Sequence, residues 1–252
     1  MVKGLDRFRE YFADHACQYV IIGGTACDIL LNEIGAPFRA TKDFDIVLIM
    51  EALNPSFFKK FRQFIDDGGY EHKKKSSGAE QFYRFEKPSA SGFPQMVELF
   101  SRKAEGLDLD FGSGLTPICI EDSIVSLSAI LLDDAYYDAL MNGKKVVDGV
   151  SVIEIETVIL FKIRAWNDLK SKRMNGEVIH SSDIKKHKND VFRLLANVMP
   201  STRMDPGDGI RQDIKQFIEE VQDDRPDLRS LEIYDTSFEE MIGLLKEIYS
   251  VE

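Results

Sequence analysis

Tyr19-Val20-Ile21-Ile22-Gly23-Gly24-Thr25, followed 18 residues after Thr25 by Asp43-Phe44-Asp45-Ile46-Val47-Leu48-Ile49-Met50, is the stretch on which the reading of this chain turns. Tyr19 to Ile22 is an apolar, strand-like run, and Ile46 to Met50 is a second one behind the Asp pair. Between them Ala26, Ile29, Leu30 and Ile34 recur at helical spacing, with Gly35 at the C-terminal stop and Pro37 just beyond. The pattern predicts a strand, a glycine turn, a short helix with Thr25 as its cap, and a second strand that begins with two carboxylates. Glycine lets backbone N–H groups come close to a phosphate because no Cβ intervenes. A helix N-terminus then turns its partial positive charge towards the anion. A Gly-Gly pair alone also marks any tight turn.

Asp43 and Asp45 are two residues apart, so in a strand they point to one face. Side-by-side carboxylates repel unless a cation or a proton relieves them. Magnesium takes such oxygen ligands and commonly holds substrate phosphates as well. The alternative is a pair of solvated acids at a strand start. A two-metal site needs a further acid. Glu98, in Met96-Val97-Glu98-Leu99-Phe100, is the best candidate, because a carboxylate flanked by apolar residues is rarely buried without a partner or a metal. It can equally stand on the open face of an edge strand. Asp108 and Asp110 compete with it but lie in a Gly-rich, loop-like stretch.

These residues resemble the DNA polymerase β-like nucleotidyltransferase superfamily, and most closely its AbiEii-type members, often the toxin half of bacterial toxin–antitoxin pairs. The resemblance rests on Gly23-Gly24-Thr25-Ala26, on Arg39-Ala40-Thr41-Lys42-Asp43-Phe44-Asp45-Ile46 and on Val97-Glu98-Leu99-Phe100. It extends to Leu160-Phe161-Lys162-Ile163-Arg164-Ala165-Trp166 and to Lys185-Lys186-His187-Lys188-Asn189-Asp190-Val191-Phe192-Arg193-Leu194, and so spans roughly residues 18–195. The third acid is Glu here, and the block between the lysines is interrupted from Ser171 to Ser182.

The resemblance implies transfer of a nucleotidyl group from an NTP. Asp43, Asp45 and Glu98 would hold magnesium or manganese and carry the catalysis together with Lys188 and Asp190. Gly23, Gly24, Thr25, Arg39, Thr41 and Lys162 would bind the nucleotide. A lysine supplies point charge to the β- and γ-phosphates, and Asp190 would orient Lys188 or accept a proton. The implied acceptor is a tRNA or other RNA, and the implied protein partner is an antitoxin. Two other readings stay open: a small-molecule enzyme of aminoglycoside type, which an acidic acceptor cleft would favour, and a non-catalytic relative that binds a nucleotide or a partner protein.

Composition sets the frame for this reading. The 252 residues carry 44% hydrophobic and 30% charged residues, which is ordinary for a globular chain. No run is apolar and long enough for a membrane span, and the N-terminus lacks a signal-peptide stretch. Cys17, Cys27 and Cys119 are widely spaced and odd in number, and read as buried thiols of a cytoplasmic protein. A net charge of −11 argues against a simple nucleic-acid binder. Basic residues nonetheless gather at His72-Lys73-Lys74-Lys75. They gather again over 162–193, with Lys162, Arg164, Lys170, Lys172, Arg173, Lys185, Lys186, Lys188 and Arg193, a local excess able to meet a polyphosphate or an RNA backbone.

The expected fold is α/β (α+β): a nucleotidyltransferase fold with a small mixed sheet flanked by helices, over residues 1–153, followed by a helical C-terminal part over 154–252. Helix is expected over 5–16. A second starts at Asn54-Pro55, with Phe57, Phe58, Phe61, Phe64 and Ile65 as its core stripe and Gly68-Gly69 as its end. Strands are expected over 81–85 and 95–100, with loops at 76–78 and 87–94. Residues 125–132 fit a strand or a helix, and 136–141 a short helix. A hairpin turning at Asp148-Gly149 is expected over 145–152. Helices follow over about 155–172, 182–198, 210–222 and 237–249, the last opened by the capping-box pattern Ser237-Phe238-Glu239-Glu240. Trp166 is expected to pack rather than to stack on a base.

Overall fold

The computed structural model describes residues 2–36, 38–39, 41–49, 51–74, 80–101 and 133–252. Asp108, Asp110, Cys119, Lys75, the loop at 76–78 and the apolar run 125–132 lie outside them. The chain divides into two compact units: Met1–Ser128 with Lys144–Ile153, and Ala129–Gly143 with Glu154–Glu252.

In the first unit, helix α1 (Leu5–Phe12) and a short 3-10 turn lead into β1 (Tyr19–Ile22), α2 (Gly23–Glu33), β2 (Asp43–Leu48), α3 (Pro55–Gly68), β3 (Glu71–Lys74), β4 (Glu80–Glu86) and β5 (Met96–Ser101). The hairpin β6 (Lys144–Val147) and β7 (Val150–Ile153) completes a mixed sheet of seven strands in the order β3-β4-β5-β2-β1-β7-β6. The sheet is larger than the small one expected, because the hairpin joins it through β7, parallel to β1. Asp148 (φ 47°) and Gly149 (φ 77°) both take the left-handed backbone that a two-residue hairpin turn of this hand requires.

One sheet face is built from Phe44, Val97 and Phe85, all buried. It meets an aromatic cluster from α1 and α3, in which Phe8 lies 5.5 Å from Phe44 and Phe61 lies 5.6 Å from Phe85, centroid to centroid. The α3 start is local chemistry: Asn54 accepts from the Phe57 N–H at 3.0 Å, and Pro55 occupies the first turn. Cys27 is buried as expected, but Cys17 is exposed, since it lies in the turn between α1 and β1.

The second unit is helical: α4 (Asp134–Asn142), α5 (Ile155–Met174), α6 (Ser181–Leu195), α7 (Asp208–Val221) and α8 (Phe238–Tyr249). Trp166 is fully buried and meets Phe217 edge-to-face at 5.0 Å, so it is a packing residue. The capping box at Ser237 forms as its sequence predicts. No helix among the described residues is long and apolar enough to cross a membrane.

Candidate functional site

Both aspartates belong to β2, which starts at Asp43, so the second strand begins with the two carboxylates as expected. Strand β2 lies between β1 and β5. Its parallel register with β5 sets Asp43 opposite Met96 and Asp45 opposite Glu98. Residues opposite one another on neighbouring strands share a face, and so do i and i+2 on one strand. Asp43, Asp45 and Glu98 therefore line one face of the sheet, the reverse of the Phe44–Val97–Phe85 face. The structure thus brings Glu98 together with two acids that precede it by more than 50 residues of sequence.

The glycine turn meets them from the β1 side. Ile22 pairs with Asp45, and the chain enters α2 at Gly23. Gly23 has φ 67°, and a Cβ built on it would fall 2.0 Å from Asp45 Oδ2. Only glycine leaves room for that carboxylate at the start of the helix, where the helix dipole favours negative charge. A Cβ on Gly24 would fall 2.6 Å from Thr41 Oγ1 and 3.8 Å from Arg39 Nη2. Gly23, Gly24, Arg39, Thr41, Asp43 and Asp45 are therefore neighbours, as the sequence predicts.

Thr25 differs from expectation. It lies inside α2, fully buried, and its hydroxyl donates to the backbone carbonyl of Asp43 at 2.6 Å. Glycine carries the chain straight into the helix, so Thr25 ties α2 to β2 instead of capping it or presenting its hydroxyl.

Glu98 is buried on an interior strand, not on an edge, and the partner it finds is Arg84 of β4. The two are opposite in register, and the Arg84 Nε donates to Glu98 Oε1 at 2.6 Å. Arg84 was not among the expected site residues. Its only sequence signal is a cation alternating with aromatic residues in a strand, which does not reveal its register with Glu98. Two aspartates offer magnesium the one or two carboxylates it commonly takes beside a substrate phosphate. Glu98, held by a guanidinium, does not complete a three-acid cage. Among the described residues no group of three or more His, Cys, Asp or Glu side chains is placed to hold a metal ion. The fit is to a carboxylate pair.

Lys162, Lys188 and Asp190 belong to the helical unit. Lys162 Nζ donates to Asp190 Oδ2 at 3.0 Å, with the two side chains 7% and 0% exposed. Arg193 lies 3.6 Å from the other Asp190 oxygen. The Lys188 ammonium is buried against Asp224, 2.5 Å from both its carbonyl and its carboxylate. The rest of the basic stretch follows suit: Arg164 pairs with Asp213, Lys170 with Glu220 and Lys172 with Asp168. Asp213 and Glu220 come from α7, so the surplus over 162–193 is largely matched from outside that stretch. Arg173, Lys185 and Lys186 remain exposed. In the first unit His72, Lys73 and Lys74 lie on β3.

Compared with protein families, curated proteins and solved structures, the chain finds no match.

Proposed function

We propose that this chain transfers a nucleotidyl group from a nucleoside triphosphate to an acceptor hydroxyl, releasing pyrophosphate. The observation that carries the reading is Asp45 packed directly on Gly23, with Asp43 beside it on the same sheet face and Arg39 and Thr41 next to Gly24. That arrangement sets a pair of hard oxygen ligands against a helix start able to receive phosphate.

In this reading the Gly23 and Gly24 N–H groups and the Arg39 guanidinium hold the phosphates. Asp43 and Asp45 hold magnesium, which when bound supplies neutralisation of the phosphate charge and polarises the phosphoryl group. The acceptor oxygen forms the new bond to the α-phosphorus. The bond from the α-phosphorus to the α–β bridging oxygen breaks, and pyrophosphate leaves with that electron pair. The acceptor proton passes to one of the two aspartates and then to water. Arg84 keeps Glu98 in place beside Asp45. Lys162 and Lys188 are taken as structural here, because each is buried against a carboxylate of its own unit.

An RNA acceptor, and the toxin–antitoxin setting that goes with it, follows from the sequence resemblance. Pairing of Lys162, Arg164, Lys170, Lys172, Lys188 and Arg193 within the helical unit reduces the charge surplus that supported it and leaves Arg173, Lys185 and Lys186 exposed.

The test is incubation of the full chain with each α-labelled NTP, magnesium, total bacterial RNA and, separately, hydroxylated amines. Label should pass to one acceptor class. Asp43→Asn and Asp45→Asn should each reduce transfer by at least about 100-fold, the scale of losing one preorganised electrostatic contact, with thermal unfolding little changed. Undiminished transfer in both variants sinks the proposal.

A further inference from the structure

The acid face of the sheet carries a cation of its own. Arg84 of β4 is opposite Glu98 of β5, and Glu98 is opposite Asp45 of β2, so the three form one row across neighbouring strands. Asp45 in turn packs on Gly23. The Arg84 and Glu98 side chains are only 15% and 10% exposed, and Nε donates to Oε1 at 2.6 Å. A centre of two ions, about 3.5–4 Å apart, needs a further acid beside the aspartate pair. The acid that the sheet sets next to Asp45 is Glu98, and the guanidinium already engages it.

We infer that this site takes a single divalent cation, on Asp43 and Asp45, and that the Arg84 guanidinium stands in for a second. Arg84 is then a positioning residue: it sets the metal count by holding Glu98. The use of the ion rests on the nucleotidyl-transfer reading. The count is a property of these side chains and stands without it.

The argument is one of charge and burial. A carboxylate oxygen that accepts from a guanidinium makes a strong, charge-assisted bond. For Glu98 to ligate an ion, it must either leave Arg84 or bring a dication beside it. The first strands a guanidinium between strands, and breaking a buried pair from one side is the costly outcome. The second sets like charges together where water is sparse and repulsion strong. Neither is relieved by pH, because a guanidinium does not lose its proton in a protein. Among the described residues, accordingly, no three His, Cys, Asp or Glu side chains are placed to hold an ion. In the transfer reading the acceptor hydroxyl gives its proton to an aspartate with no second ion to acidify it.

The experiment is titration of the full chain with manganese chloride alone, the unbound ion being read from its paramagnetic resonance signal. The unaltered chain should bind one ion. Arg84→Met should bind two, because the released Glu98 completes a second set of ligands. Arg84→Met combined with Glu98→Gln should return to one. A purely structural Arg84 would lower the melting temperature and leave the count at one. Glu98→Gln alone, whose amide oxygen still accepts from Arg84, should keep the affinity of the single ion. Two ions or none in the unaltered chain overturn the inference, as does one ion in a folded Arg84→Met chain or two in the double variant. So does a loss of roughly tenfold or more in Glu98→Gln, the scale of disturbing a ligand's surroundings, and that result needs no folded Arg84→Met. One ion rising to two in Arg84→Met, with no label transferred from any NTP, would retain the inference and remove the transfer reading. Label transferred by an unaltered chain that holds two ions would do the reverse.

Discussion

The sheet unit and the helical unit use the same side chains differently. In the helical unit, Asp190 is fully buried between Lys162 and Arg193. Asp213 accepts from Arg164 at 2.8 and 2.9 Å and from the Tyr136 hydroxyl at 2.8 Å. In the sheet unit, Asp43 and Asp45 are half-buried at a strand start, one facing a pocket and the other a glycine. Glu98 shares their face and is nearly enclosed with the Arg84 guanidinium. A carboxylate enclosed with its cation holds structure together, whereas under the proposed function Asp43 and Asp45 would serve a bound magnesium beside a helix start.

The sharpest way to break that contrast is to remove one acid from each unit. Asp190→Ala strands the Lys162 ammonium in the core, and breaking a buried pair in this way costs about 3–5 kcal/mol. Urea unfolding of the full chain should show that loss. Replacing both partners, as Asp190→Leu with Lys162→Met, should recover most of it, because an apolar pair of similar volume avoids desolvating charge. If Lys162 instead serves the nucleotide, Lys162→Met will weaken NTP binding and leave unfolding unchanged.

Alkaline titration sharpens the comparison at a smaller scale. In the helical unit burial pushes the Tyr136 phenol well above its ordinary value, with the Asp213 carboxylate adding to it, and burial does the same to Tyr249. In the sheet unit burial raises Tyr19 and Tyr70. A raised folded-state value means that the folded chain holds the proton longer than the unfolded chain. The stability these phenols contribute is therefore complete below about pH 10, the unfolded value, and is lost as pH rises from there through the folded value. The loss should approach about 1.4 kcal/mol per pH unit for each phenol. Tyr136→Phe should make the alkaline decline of the unfolding free energy shallower by one phenol. An identical slope would mean that Tyr136 titrates normally.

The contrast also explains what could be read from the sequence. Features set within four residues were legible: Asn54-Pro55 opening α3, Asp148-Gly149 turning the hairpin, and Ser237 with Glu240 opening α8. Each depends on a backbone conformation or a cap that its own residues determine. The closeness of Gly23 to Asp45 was legible because one short helix joins β1 to β2, which then pair as antiparallel neighbours. The partner of Glu98 was not, since it required the register of β4 on β5 across a loop. Nor was the fate of the basic stretch: Lys170 and Arg164 find their acids 50 and 49 positions on, at Glu220 and Asp213, through helix packing. Thr25 failed for a local reason, because glycine at φ 67° lets the helix start at Gly23, before a threonine cap at 25 would allow.

The smallest effect falls where the two units are alike. Asn54 caps α3 in the sheet unit, accepting from Phe57 N–H at 3.0 Å. Ser237 caps α8 in the helical unit, accepting from the N–H three residues on at 3.2 Å. Both side chains are exposed, so neither substitution opens a cavity, and each removes one acceptor from a helix start. Asn54→Ala and Ser237→Ala should therefore each cost about 1 kcal/mol in urea unfolding. Equal losses would show that this chemistry depends on the first turn alone, whatever the unit around it. A Ser237→Ala loss several times that of Asn54→Ala would instead make the α8 start a point where the helical unit is held together, and would extend to caps the difference that Asp190 and Asp45 show for buried and half-buried acids.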